Sequence, residues 1–265
     1  MSRFSRVGKN IFFYGLGKVY DTAAALVWIA LIARYLGRDG FGDYSLIWAV
    51  VTMVGIIPEI GLNNVLIREA SRNLERTPAL LKATVQVRRL LAPVSILTVI
   101  GIIYALPNVD PSVRFSACVG SFWILGRLAM GTNGAIFFAY ERVEYDTLLT
   151  IFHDTVVVLL LFAATKTDWK LIGVVGAMSL AASIGGIFSF IVRRSVFCAA
   201  AKKVDPDLRA YILKESLPIG GSRALRLTGN RIDTLILAWL RTSGEVGVYS
   251  GVYSLILRML PSAWA

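Results

Sequence analysis

The sequence predicts an all-α fold, a polytopic transmembrane helical bundle, on three observations. First, 56% of its 265 residues are hydrophobic and only 17% are charged, with a mean hydropathy of +0.65. Soluble domains lie nearer about 45–50% apolar and about 25% charged. Second, the apolar excess is gathered in blocks of about 20 residues, enough to cross a hydrocarbon core of about 30 Å at about 1.5 Å per residue. Third, no segment alternates with the period of a strand.

The first span, 11–36, follows the basic start MSRFSRVGKN. It is too long for the apolar region of a secretory leader and ends in Arg34 and Tyr35 rather than at small residues. The turn GRDGFG leads to the second span, 41–62, and a polar segment, 68–89, separates it from the third, 90–106. PNVDP ends that span; the fourth, 113–140, is followed by ERVEYD, and the fifth, 147–165, by KTDWK. The sixth span is 171–192. A basic segment, 193–215, is the one expected domain seam and has room for a short surface helix. The seventh span is 217–240, and the eighth begins near 246 and is still apolar at 265.

The net charge of +11 comes from 28 Lys and Arg against 17 Asp and Glu. In so hydropathic a chain this basic balance marks cytoplasmic loops, so no nucleic-acid partner is expected. Sixteen of the 28 cations fall in segments on the N-terminal side of the spans and six on the other. That bias predicts a multi-pass protein of the cell (plasma or inner) membrane with its N-terminus in the cytoplasm. Cys118 lies in an apolar span and Cys198 in a basic segment, which predicts no disulfide, and no spacing suggests a metal or cofactor.

The seventh span carries the functional argument. If the arginines of SRALRLTGNRIDTLILAWL lay outside the bilayer, only 232–240 would remain, about 14 Å of helix and too short to cross. The span therefore holds its charges within the membrane, at roughly 2.5–3.5 kcal/mol for each Arg or Asp at the centre, and they must face protein or water. As one helix, Arg223, Arg226, Asn230 and Asp233 share a stripe, with Arg231 on its flank. They are either cavity-lining groups or cations snorkelling to the interface and pairing helices. The first span places Tyr14, Lys18 and Asp21 on one face, where Lys18 and Asp21 could also neutralise each other. Arg127 lies within the fourth span with Asn133 nearby, and His153 and Asp154 lie within the fifth. His153 is either a hydrogen-bonded packing residue or a proton relay. Cations are in slight excess in this set, which predicts a wet, basic cavity for an anionic head group such as a phosphate or diphosphate.

Three stretches, LIARYLGRDGFGDYSLIWAV (31–50), EIGLNNVLIREASR (59–72) and NRIDTLILAWLRTSGEVGVYSGVYSL (230–255), resemble a known family. It is the oligosaccharide flippases of the multidrug/oligosaccharidyl-lipid/polysaccharide exporter superfamily, which handle O-antigen and exopolysaccharide repeat units. The resemblance implies two helical bundles around a central cavity. Alternating access there would move a lipid-diphosphate-linked oligosaccharide from the inner to the outer leaflet. It divides the chain into a six-helix lobe, 1–200, and a basic linker with the first one or two helices of a second lobe, 201–265. Arg231 and Asp233 fall at cavity positions of the seventh-helix pattern, while Gly37, Gly40, Phe41 and Gly42 match a pattern better explained by turn geometry. Arg226, Arg127, Lys18 and Asn230 join Arg231 as head-group ligands from charge placement, with Asp21, Asp154, Asp233 and His153 as candidates for ion coupling. Members of the family carry about twice as many helices. The chain is therefore expected to be a fragment, the product of an interrupted gene, or half of an assembly of two copies. The expected partners are the bilayer, the anionic glycolipid and glycan polymerase or ligase machinery.

Three rivals stand beside this reading. A drug or cation exporter of the superfamily would show a buried acidic excess, and a lipid II exporter would share most of these features. A membrane-embedded glycan-assembly enzyme is suggested only by Asp205-Pro-Asp207, which no strand or nucleotide-binding domain surrounds. An inactive fragment would have a structural role alone.

Overall fold

The computed structural model describes residues 3–107, 109–197, 206–229, 232–240 and 242–259. Ten α-helices are found among them, and no strand. They are α1 (Arg3–Val54), α2 (Leu62–Arg72), α3 (Thr77–Ala105), α4 (Pro111–Ser121), α5 (Trp123–Ala139), α6 (Val143–Ala164), α7 (Lys170–Val196), α8 (Pro206–Gly229), α9 (Ile232–Leu240) and α10 (Ser243–Met259). A single 3-10 turn, Leu74–Arg76, leads into α3.

Five segments are long and apolar enough to cross a membrane, counting α4 and α5 as one. The first, Val7–Val54, has 48 residues, about 72 Å of helix and room for two crossings. It bends at Gly37, whose φ of 69° and ψ of −169° are open to glycine and costly for other residues. The predicted turn between the first two spans is this bend. Tyr35 secures it: its hydroxyl donates to the Thr167 carbonyl and accepts from the Lys170 amide at 3.1 Å, at the turn from α6 to α7.

Three boundaries differ from the sequence reading. α2 runs to Arg72 and α3 starts at Thr77, so most of the expected polar segment 68–89 is helix. α3 is about 44 Å long, longer than the hydrocarbon core, and its charged first turns form the surplus. α6 starts at Val143, which takes Asp146 out of the expected loop. α8 starts at Pro206 within the expected basic linker, and helix is described as two elements, α8 and α9, across the expected seventh span.

Close packing without a hydrophobic driving force needs small residues at helix contacts. Between α5 and α7 they are Gly126, Ala182 and Gly186, with Gly126 lying against the Ala182 carbonyl. One core cluster, with Ile47, Val51, Ile103 and Val175, joins α1, α3 and α7. A second, with Leu66, Leu80, Ile136 and Ile212, brings α8 onto α2, α3 and α5. Arg68 Nη2 bonds Glu215 Oε2 at 2.7 Å across the same junction.

The far end of α1 packs on α10. Gly42 approaches the Ser243 carbonyl so closely that a Cβ there would overlap it, and Gly247 approaches the Arg38 carbonyl in the same way. Arg38 Nε donates to the Gly244 carbonyl at 3.0 Å. The two contact segments read alike, GDYS at 42–45 and GVYS at 247–250. Gly42 is therefore needed for a close helix approach, a role that turn geometry did not predict.

Candidate functional site

A cavity of about 720 Å³ lies among α1, α5 and α6, with Met178 of α7 and Ser250 of α10 at its edge. Both halves of α1 line it: Lys18, Asp21 and Trp28 before the bend, Tyr44, Trp48 and Thr52 after it. α5 contributes Trp123 and Arg127, and α6 contributes Asp146, Thr150, His153 and Asp154. On α6 these polar residues recur at helical spacing, so one stripe faces the cavity. Five residues singled out in the sequence, Lys18, Asp21, Arg127, His153 and Asp154, thus meet at one site.

Their partners differ. Lys18 Nζ lies 3.2 Å from Asp21 Oδ2, both side chains partly solvent-accessible, so the pair is screened. The Arg127 guanidinium stands over the Trp123 ring, 5.6 Å from its centroid, and makes no ion pair among the described residues. His153 Nδ1 lies 3.0 Å from Asp154 Oδ1. The outer atoms of that pair, His153 Nε2 and Asp154 Oδ2, are buried without a hydrogen-bond partner among the described residues. Trp48 and Trp123 meet edge to face at 5.2 Å, and Tyr44 and Trp48 at 6.0 Å, forming an aromatic wall.

The expected cationic excess is not found in the described lining, which holds two cations, Lys18 and Arg127, against three carboxylates, Asp21, Asp146 and Asp154. Arg226 and Arg231, which made the expected excess, have side chains outside the described residues, and Asp146 tips the described balance to acidic. Read as a loop residue, it is in the first turn of α6, eight residues before Asp154 and on the same stripe. That spacing was the available signal.

The other candidates divide. Arg226 belongs to α8, but its side chain lies outside the described residues, as do Asn230 and Arg231. Asp233 does not line the cavity: it accepts from the Thr234 amide at 2.7 Å and from the Tyr249 hydroxyl, joining α9 to α10. Asn133 points away from Arg127, donating to Ser189 Oγ at 2.8 Å and accepting from Arg193 Nε at 2.7 Å. The six-residue step from 127 to 133 turns a helix through about 240°, so the two could not have shared a face.

The sequence reading also missed a buried cation. Arg88 is 5% exposed. Its Nη1 donates to the Leu128 carbonyl at 3.0 Å and to the Thr132 hydroxyl, and its Nη2 to Asn63 Oδ1 at 2.9 Å. Reading residues 68–89 as a polar loop hid it.

One solved structure, described as "protein A", superimposes with a TM-score of 0.71 at 15% identity, over 98% of this chain and 61% of that one. The similarity concerns the fold, and this chain spans about three fifths of that protein's length. No protein of curated function matches. The profile of a family described as "Polysaccharide biosynthesis protein" matches residues 7–263. Nearly its whole length being covered, this helical membrane protein belongs to the polysaccharide biosynthesis protein family.

Proposed function

We propose that this protein moves a lipid-diphosphate-linked oligosaccharide from the inner to the outer leaflet, by alternating access through the cavity among α1, α5 and α6. The observation that carries the reading is the gathering of Lys18, Asp21, Arg127, His153 and Asp154 around one space within apolar helices. Charged groups at that depth are costly and are kept where they face a solute or water path. The aromatic wall of Tyr44, Trp48 and Trp123 offers flat faces for the C–H surfaces of sugar rings, and the carboxylates accept from their hydroxyls. Arg127 is the cation available to a diphosphate, with Arg226 and Arg231 as further ligands. The N-terminus is cytoplasmic in this scheme, α1 to α7 form one lobe, and the later helices begin a second. A charge-assisted bond to phosphate contributes about 1.5–3 kcal/mol. Arg127→Gln should therefore lower glycan export about tenfold or more at equal protein level in the membrane. Unchanged surface glycan in cells relying on the variant would sink the reading.

The excess of carboxylates in the described lining favours a second reading, export of a cationic solute. Asp146→Asn separates the two. It would weaken cation export strongly, and it would leave or raise the uptake of an anionic head group.

A further inference from the structure

A second cavity, of about 590 Å³, lies on the other side of α5, between α3, α5 and α7, and shares no lining residue with the first. Four cations line it, Lys82, Arg88 and Arg89 of α3 and Arg193 of α7, with no carboxylate among the described lining residues. Leu81, Val85, Leu125 and Phe190 make the apolar part of its wall.

Two of the cations, Arg88 and Arg193, hydrogen-bond neutral groups. Arg88 bonds only a carbonyl, a hydroxyl and an amide among the described residues, and its Nε is buried with no partner. Arg193 Nε bonds the Asn133 amide oxygen, and its guanidinium stands 5.2 Å from the Phe190 ring centroid. Glu59, at one remove through Asn63, is the carboxylate whose charge reaches Arg88, so the four cations outnumber their counter-charges, and an anion in the groove would supply another.

Depth and surroundings identify the anion's source. The groove lies where α3 begins and α5 and α7 end, with Tyr140 and Phe197 in its lining. This is the end of the bundle at which the chain starts, since Lys9 pairs with Glu144 just beyond α5. The stretch 90–105 of α3 has no charge and measures about 24 Å, which sets Arg88 and Arg89 at the edge of the hydrocarbon. Past the cations the surface stays apolar and exposed: Leu90 (71%), Val94 and Leu97 on α3, Ile187 and Ile191 on α7. A soluble anion would have no use for that surface, whereas acyl chains would cover it.

We propose that this groove is a binding site for an anionic phospholipid of the adjacent leaflet, its phosphate held by Lys82, Arg88, Arg89 and Arg193 and its chains lying along α3 and α7. The site is separate from the transport cavity and does not depend on what that cavity carries.

The test is native mass spectrometry of the full chain, purified in detergent and offered dioleoyl-phosphatidylglycerol or dioleoyl-phosphatidylcholine. Phosphatidylglycerol should be retained in preference to phosphatidylcholine. Lys82→Gln with Arg89→Gln should weaken that retention about thirtyfold, at about fivefold per cation. The charge-preserving pair Lys82→Arg with Arg89→Lys should keep it, as should Arg127→Gln in the other cavity. Melting of each variant in phosphatidylcholine, unchanged from wild type, excludes loss of fold as the cause. Equal retention of the two lipids would overturn the proposal, as would wild-type retention by the double Gln variant. Displacement of phosphatidylglycerol by inorganic phosphate would instead mark a site for a free anion, and loss of retention in Arg127→Gln would move the lipid to the other cavity.

Discussion

Gly42 of α1 and Ser243 of α10 meet backbone to backbone, so close that a methyl group on Gly42 would overlap the Ser243 carbonyl oxygen. The contact joins residues 201 positions apart in sequence. It depends on the missing side chain of one glycine.

Gly42→Ala should therefore push α10 off α1. The obstacle is backbone, which cannot rotate away, so a cost of about 1–3 kcal/mol is expected. Gly101→Ala is the control: nothing lies within 4 Å of its added methyl, and a helix gains slightly from alanine. Thermal unfolding in detergent should show a lower Tm for the first and an equal or higher one for the second. Equal Tm values would mean that the close approach is not made.

Arg88 gives the second prediction. Arg88→Met keeps the apolar stem and removes three hydrogen bonds, leaving Asn63 Oδ1 without the guanidinium that it accepts from. An unsatisfied buried acceptor costs about 1–3 kcal/mol. Lysine presents one ammonium where the guanidinium reaches α2 and α5 together, so Arg88→Lys should restore only part of the loss. The measurement is again Tm, and a variant as stable as wild type would show the network to be dispensable.

The third concerns Lys18 and Asp21, whose 3.2 Å pair is open to solvent. Exposed pairs contribute between about 0.2 and 1 kcal/mol. Lys18→Ala should leave stability within about 1 kcal/mol of wild type, so any larger fall in export belongs to the solute and not to the fold. A marked drop in Tm would instead identify the pair as structural.

How far these features could be read in advance follows the physics of each signal. The spans were legible because lipid demands about 20 apolar residues in a row, and α1, α6 and α7 have them. The charges within spans were legible for the same reason, and Lys18, Arg127, His153 and Asp154 line one cavity. Charged turns beyond the hydrocarbon look like loop to a hydropathy reading, which hid Arg88 in α3 and Asp146 in α6. Tertiary choices were not legible either. Asp233 pairs with Tyr249, sixteen residues on, because α9 and α10 pack together, and no periodicity within one span announces that. The break between α4 and α5 falls at Phe122, a residue whose type announces no break.

His153 and Asp154 carry the last prediction. Their inner atoms are 3.0 Å apart, while His153 Nε2 and Asp154 Oδ2 are buried without a partner among the described residues. Unsatisfied atoms beside a polar cavity suit a pair that takes up and releases a proton as the cavity changes its exposure. Asp154→Asn is nearly isosteric and removes that capacity without opening a void. In reconstituted vesicles, the variant should lose the response of export to an imposed proton gradient, while wild type and the neighbouring Asp146→Asn keep theirs. Asp154→Asn vesicles that still speed up when the gradient is applied would leave His153 and Asp154 a structural pair, and the driving ion would then have to act elsewhere.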